Sequence, residues 1–221
     1  MTPERHRRLR SALDLRQPDL TLLAENVRNP HNVAAMLRTS DAAGALELHA
    51  VSPQGVFERP RSITGGTRDW VRVRTHDSIE AAATTLKAQS FQIVAAHFSD
   101  AARDYRSPDY TLPTAFLMGS ELRGVSPAAA ALADFHVVIP MRGLAESLNV
   151  SVAAALLLYE ATRQREAAGF FRQPRLSPER YAALLFEWGY PRIAARCRDA
   201  GVPYPTLDDT GRIVANPFPP P

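Results

Sequence analysis

Ile139-Pro140-Met141-Arg142-Gly143-Leu144-Ala145-Glu146-Ser147-Leu148-Asn149-Val150-Ser151-Val152-Ala153 leaves a run that reads as a strand, Phe135-His136-Val137-Val138, and enters a long apolar stretch that reads as a helix to about Ala168. Pro140, Gly143 and the small polar residues Ser147, Asn149 and Ser151 lie at the join. Backbone N–H groups at a helix start are unpaired and point outward, so a strand-to-helix turn of this kind collects ligand-binding groups. Ser147 and Asn149 are also good N-cap residues, and taken alone the stretch reads better as a well-capped helix without chemistry. Two further stretches, Asn26 to Arg38 and Leu117 to Gly124, shift that balance.

Working outward, the same alternation of strand and helix recurs along the chain. Residues 2–16 read as a short basic helix with Leu9, Leu13 and Leu15 on its apolar side. Leu20 to Ala24 reads as a first strand. Asn29-Pro30 then starts a helix, Asn at the N-cap and Pro at the first helical position, with Val33, Met36 and Leu37 on one face and Gly44 closing it. Asn32, Arg38 and Asp41 project elsewhere and suit a solvated face. Leu46 to Val51 and Trp70 to Arg74 alternate as strands, and Pro60 to Asp69 between them reads as a short helix or turn. Asp77-Ser78-Ile79-Glu80 has the form of an Asp capping box and opens a helix to about Ala88. Phe91 to Ala96 is a buried-type strand with His97 at its end, where the residues alone give that histidine no role. Ala101 to Pro113 is polar and irregular. Thr114 to Met118 is the next strand, and Ser126-Pro127 caps an alanine-rich helix to about Ala133. The fold class is therefore α/β, a mostly parallel sheet with helices on both faces, and ligands are expected outside the carboxyl ends of the strands. All three suspicious turns sit at such ends.

After Gly169 come two more helical pieces, one opened by Ser177-Pro178 through Trp188 and one opened by Pro191 and ended by Gly201. Pro203, Pro205 and Pro217 to Pro221 mark extended, poorly packed chain. The division expected is a basic helical extension over 1–19, a core over 20–168 and a helical, Arg- and Pro-rich extension over 169–221. No internal repeat or coiled-coil pattern is present.

Composition narrows the classes. At 221 residues, 45% hydrophobic and 22% charged, the chain has the make-up of a soluble globular protein. It lacks the run of about 18 apolar residues that a membrane span needs. No secretory signal is visible in Met1 to Arg10, and one cysteine, Cys197, excludes an internal disulfide framework and a cysteine-based zinc site, so a cytoplasmic protein without a structural metal is expected. Lys87 is the only lysine. An arginine-biased genome accounts for most of that. The crowding of arginines at the N-terminus and after the long helix is also the footprint expected of a nucleic-acid partner.

Several chemistries fail on their motifs. Gly119 to Gly124 has P-loop spacing, but Val125 stands where the lysine belongs. No G-x-G-x-x-G follows the first strand, and H-E-x-x-H, G-x-S-x-G and S-x-x-K are absent. What survives is a set of three turns: Asn26-Val27-Arg28-Asn29-Pro30-His31-Asn32-Val33 leading to Arg38 through Gly44, Leu117-Met118-Gly119-Ser120-Glu121-Leu122-Arg123-Gly124-Val125, and Ile139 through Ala153. In order and internal spacing they resemble the three motifs of the SpoU/TrmH family of ribose 2′-O-methyltransferases. Gln164-Arg165 and Phe186-Glu187-Trp188-Gly189-Tyr190-Pro191 extend the resemblance over nearly the whole chain, toward the branch that modifies the D-loop guanosine 18 of tRNA.

The resemblance implies a deep trefoil knot in the C-terminal part of the sheet, S-adenosylmethionine as cofactor, tRNA as substrate, and a homodimer with the active site at or near its interface. It implies a catalytic Arg38, supported by Asn32, with Glu121 fixing loops or the arginine and with Ser147 and Asn149 beside cofactor and target. A guanidinium is a poor general base, so Arg38 is read as gripping the adjacent phosphate and stabilising developing negative charge. The cofactor-binding positions implied are Ala96, His97, Met118, Gly119, Ile139, Met141, Gly143 and Leu148. Arg7, Arg8, Arg10, Arg163, Arg165 and Arg172 are the candidates for RNA backbone contacts. Competing readings are a methyltransferase for ribosomal RNA or another tRNA nucleoside, a catalytically silent RNA-binding module, and a purely structural α/β domain.

Overall fold

A computed structural model describes residues 1–52, 70–215 and 218. The chain divides into two compact units, residues 17–170 and residues 1–16 with 171–221. The two terminal extensions, read from sequence as separate pieces, thus form one unit.

Among the described residues of the larger unit, seven strands form one sheet in the order β3-β2-β1-β6-β4-β7-β5. They are β1 (Gln17–Glu25), β2 (Ala45–Val51), β3 (Arg72–His76), β4 (Gln92–Ala96), β5 (Arg103–Asp104), β6 (Thr114–Met118) and β7 (Phe135–Val138). Every pairing is parallel. The central strands read as unbroken apolar runs because helices cover both faces. Leu20, Leu22, Ala24, Val94, Phe116, Met118 and Val137 face one way and pack with α2 (Pro30–Ala42) and α5 (Val150–Ala167). Leu23, Val51, Ile93, Ala95, Ala115 and Leu117 face the other and pack with α3 (Ile79–Lys87) and α4 (Pro127–Leu132).

The helices begin where the sequence says, and for local reasons. Asn29, Ser126 and Asn149 each accept a backbone N–H of the first turn, and Pro30 and Pro127 fill positions whose N–H would have no partner. Gly44, at φ 82°, takes the chain out of α2 into β2. The cap of α3 is Ser78, which accepts the Ala81 N–H, one residue beyond the Asp77 that the capping-box pattern picks out. Other differences have tertiary causes. β1 begins three residues early through a shift in its pairing with β2, and β3 is displaced to Arg72–His76 by its register against Glu47 to Val51. The polar stretch 101–113 contains β5, two residues long, recruited by the free edge of β7. The short helix or turn expected at Pro60–Asp69 lies outside the described residues.

Stretch 97–113 leaves β4, runs to the sheet edge at β5 and returns to β6, next to β4. Its last part is tied to the end of α5. The Gln164 side chain accepts the Tyr110 N–H at 2.8 Å and donates to the Pro108 carbonyl. Arg165, 0% exposed, donates to the Tyr110 and Leu112 carbonyls, to the Asp19 carbonyl and to the Asp19 carboxylate at 2.6 Å.

In the smaller unit, α1 (Pro3–Asp14) buries His6, Leu9 and Leu13, and α6 (Pro178–Gly189) and α7 (Pro191–Ala200) follow, α7 closed by Gly201 at φ 64°. Pro203 and Pro205 lie in extended chain whose neighbours are nonetheless anchored, whereas Pro217 and Pro219 to Pro221 lie outside the described residues. Tyr204 stacks on Phe186 and donates to Glu187, and the Tyr190 hydroxyl donates to the Gly211 carbonyl. The prolines prevent regular structure there, but the aromatic rings between them still find partners.

Candidate active site

Because the sheet is parallel, the turns after β1, β6, β4 and β7 all emerge at one edge. The chain goes from β6 to α4 on one face and from β7 to α5 on the other, with β4 between them. Connections that part to opposite faces open a crevice above the strand between them, here at Ala96 and His97.

α2 and α5 lie side by side on the same face, both with their N-termini at this edge. Asn32, in the first turn of α2, is 7% exposed, and Asn149 is the cap of α5. The Asn149 amide donates to Asn32 Oδ1 at 3.1 Å, and the Asn32 amide donates to Glu121 Oε1 at 2.9 Å. The same Glu121 oxygen accepts the Asn29 N–H. At the other end, Ser151 donates both its N–H and its hydroxyl to Asn149 Oδ1, at 2.9 and 2.6 Å. The result is one directed chain of donors, Ser151 to Asn149 to Asn32 to Glu121, that links all three turns and fixes both amide orientations. Burial pushes the Glu121 carboxyl up, but hydrogen bonds from Asn32 and from the backbone of Glu121, Asn29 and Arg28 outweigh it and hold the group below the usual glutamate range. An ionised carboxylate at a helix N-terminus is also favoured by the helix dipole.

Arg38 lies on α2 six residues beyond Asn32, roughly 9 Å further along the axis, and is exposed. Ser147 is exposed too, in the turn before α5. The structure therefore joins Asn32, Glu121 and Asn149 directly. Asn29 and Ser151 belong to the network without having been singled out as site residues. Their signal was present, since Asn29 is itself the cap of α2 and Ser151 is a small polar residue two positions after the cap of α5.

The residues at the crevice suit a cofactor with an apolar body held through backbone. Met118 ends β6 on the α5 face, Ile139 and Leu148 are half-buried, and Met141 and Gly143 are exposed in the turn after β7. A Cβ added at Gly143 would meet nothing within 4 Å, so the chain's own packing does not require glycine there and leaves open space. Gly119 differs. A Cβ there would lie 2.0 Å from the Gly124 carbonyl carbon and 2.1 Å from the Val125 nitrogen, because Ser120 and Gly124 exchange backbone hydrogen bonds that close the turn. Its glycine serves the fold of the Glu121 turn whether or not a ligand approaches. His97 sits half-buried at the end of β4, edge-on to His136 with centroids 5.1 Å apart. His136 donates Nε2–H to the Ala130 carbonyl and accepts the Ser99 hydroxyl at Nδ1.

Of the arginines expected to contact RNA, Arg7, Arg8 and Arg10 are exposed on α1, and Arg172 is exposed. Arg163 is exposed and makes a two-pronged contact with Glu160 at 2.7 and 2.9 Å. Arg165 is a correction. It is fully buried, and its guanidinium is engaged by protein oxygens, so it offers nothing to an RNA phosphate. Sequence proximity to exposed arginines concealed a core residue. Among the described residues, no cluster of three or more His, Cys, Asp or Glu could hold a metal ion, and no helix is long and apolar enough to cross a membrane.

Comparison with known proteins gives a consistent picture. Residues 19–159 match the model of the SpoU rRNA Methylase family, and residues 163–216 match that of the SpoU rRNA methylase C-terminal region. The tRNA (guanosine(18)-2′-O)-methyltransferase of Escherichia coli (strain K12) is 48% identical over 218 residues, spanning 98% of this chain and 95% of its own. The crystal structure of the Aquifex aeolicus TrmH/SpoU tRNA modifying enzyme is similar with a TM-score of 0.80 at 43% identity, over 85% of this chain and 96% of that one. The SpoU methyltransferase AviRb of Streptomyces viridochromogenes, in complex with the cofactor AdoMet, is similar with a TM-score of 0.62 at 30% identity, over 68% of this chain and 62% of that one.

Proposed function

The chain belongs to the SpoU methylase family, and from that premise we propose that it methylates the ribose 2′-oxygen of guanosine 18 in tRNA, using S-adenosylmethionine. The observation that carries the reading is the hydrogen-bonded chain Asn149–Asn32–Glu121, which brings three sequence-distant turns to one point beside the crevice at Ala96 and His97. Relatives over nearly the full length act on guanosine 18 of tRNA, as their names state, and that supports the substrate.

S-adenosylmethionine, when bound, supplies an electrophilic methyl carbon on a sulfonium. Ala96, His97, Met118, Gly119, Ile139, Met141, Gly143 and Leu148 would hold it. The chain's own task is to place a ribose hydroxyl and to stabilise the negative charge that grows on its oxygen. Arg38 carries a permanent charge on an exposed helix face, and its fork suits the phosphate next to the target ribose. Asn32 and Asn149 are locked by Glu121 and Ser151, so the N–H of each amide that is not used within the network has a fixed direction, and in this reading it meets the substrate. In the same reading Ser147, in the turn before α5, contacts the ribose or the cofactor.

The finer features of the family follow the same reading. The 97–113 stretch, fastened across the end of α5 by Gln164 and Arg165, is the loop of the trefoil knot. A second copy of the chain covers the exposed stripe Val152, Leu156 and Tyr159, spaced i, i+4, i+7 on α5, which makes the enzyme a homodimer. Arg7, Arg8, Arg10, Arg163 and Arg172 contact the tRNA backbone, and the enzyme works in the cytoplasm, where its substrate is.

The test is methyl transfer from labelled S-adenosylmethionine to an unmodified tRNA transcript, with the modified nucleoside mapped. Label on the guanosine 18 ribose is the expected result. Label on another nucleoside overturns the substrate, and none on any RNA overturns the activity.

A further inference from the structure

Glu25 is the last residue of β1, 5% exposed, and stands at the end of an otherwise apolar run. A buried carboxylate is costly unless its oxygens are satisfied. Both are engaged by one residue: the Ser126 N–H donates to Oε2 at 2.9 Å and the Ser126 hydroxyl to Oε1 at 2.6 Å. Ser126 is the cap of α4, and its oxygen accepts the Ala129 N–H at 3.1 Å. The carboxylate therefore also orients the cap, because it takes the hydroxyl proton and leaves a lone pair for α4. Immediately after Glu25 the chain turns sharply, with Asn26 at φ 54° and its N–H donated to the Val51 carbonyl.

Strand alternation gives this contact its meaning. Leu20, Leu22 and Ala24 face α2 and α5, while Leu23 faces α3 and α4, so Glu25 belongs to the α3/α4 side. The turn 119–126 thus straddles the carboxyl edge of the sheet. On one side Ser126 is held by Glu25. On the other, Glu121 reaches the N-terminus of α2 and fixes Asn32. Between them the turn is closed by the Ser120–Gly124 hydrogen bonds and the tight seat of Gly119. A short, closed turn gripped at its base transmits displacement of the base to its tip.

We propose that Glu25 is a positioning residue for methyl transfer: it sets the height of the turn over the sheet edge and so the contact of Glu121 with Asn32 and Asn29. Resting on the functional reading above, it assigns a part to a residue outside all three motif turns. In Glu25→Gln the amide oxygen can still accept the Ser126 N–H, but the amide N–H can only donate to the Ser126 oxygen, so the hydroxyl proton loses its charged acceptor and the grip weakens without a change of size.

Two readouts test this. Amide exchange by NMR at Asn29, whose N–H donates to Glu121 Oε1, is expected to quicken by at least about tenfold in Glu25→Gln, as for the loss of one hydrogen bond. Ser126→Ala, which keeps the N–H donor, should move the same amide by a smaller factor, and it carries the test if Glu25→Gln does not fold. In methyl transfer, Glu25→Gln should lower kcat by about tenfold or more with KM for cofactor and tRNA little changed, and Glu25→Gln/Glu121→Gln should be no slower than Glu121→Gln alone. Unchanged exchange at Asn29 in both variants overturns the proposal, as does a double variant slowed by the product of the two single effects. A wild-type protein inactive on every RNA would overturn the functional reading instead, while the exchange measurement still decides the part played by Glu25.

Discussion

Glu121 is held as an anion by the start of α2, and its side chain in turn holds Asn32. Its contribution depends on pH with a definite sign. Because the folded-state pKa lies below the usual glutamate value, the stabilisation is fully present above about pH 4.5 and is lost as the pH falls through the lower folded value. Protection of the Asn29 amide should follow that curve, and in Glu121→Gln the acid-side transition should disappear. The same substitution should reduce methyl transfer by about tenfold or more, about 1.4 kcal/mol of transition-state stabilisation. Arg165 gives the contrasting case of a charged side chain whose role is architectural. Arg165→Met removes the donors for three carbonyls and the 2.6 Å contact to the Asp19 carboxylate. The expected loss is about 3–5 kcal/mol, read by urea unfolding. A loss of tRNA affinity without loss of stability would contradict this placement.

At the scale of elements, the turns were readable and their connections were not. Asn29-Pro30, Ser126-Pro127 and Asn149 announce helix starts because capping is a local event, decided within three or four residues. The bond from Asn32 to Glu121 spans 89 residues and that from Asn149 to Asn32 spans 117, so no local rule predicts them; only the spacing of the motif turns hinted that they meet. β5 escaped because two residues carry no periodicity, and its pairing comes from the neighbouring edge. Arg165 was misplaced because arginine is mostly a surface residue, and its burial depends on partners from β1 and the 105–113 segment. The two turn glycines can be separated by experiment. Gly119→Ala should open the 119–125 turn, lowering stability and abolishing activity together. Gly143→Ala meets no protein atom, so the melting temperature without cofactor should stay unchanged while cofactor affinity falls. Thermal unfolding with and without S-adenosylmethionine measures both.

For the whole molecule, the parallel sheet puts four turns at one edge, and the parting of α4 and α5 to opposite faces opens the crevice. The α5 helix connects this edge to the proposed dimer, since it starts at Asn149 and carries Val152, Leu156 and Tyr159 outward. Leu156→Glu should turn a dimer into a monomer in sedimentation experiments and reduce methyl transfer with it; a dimer of unchanged mass would remove α5 from the interface. The central claim is that this edge places a ribose 2′-hydroxyl for methylation. It is tested most directly by a single-turnover reaction on two tRNA transcripts that differ only in the 2′-hydroxyl of guanosine 18. The account predicts label on the ribo transcript and none on the 2′-deoxy one, with the ribo signal lost in Arg38→Ala. Equal labelling of both transcripts would contradict it.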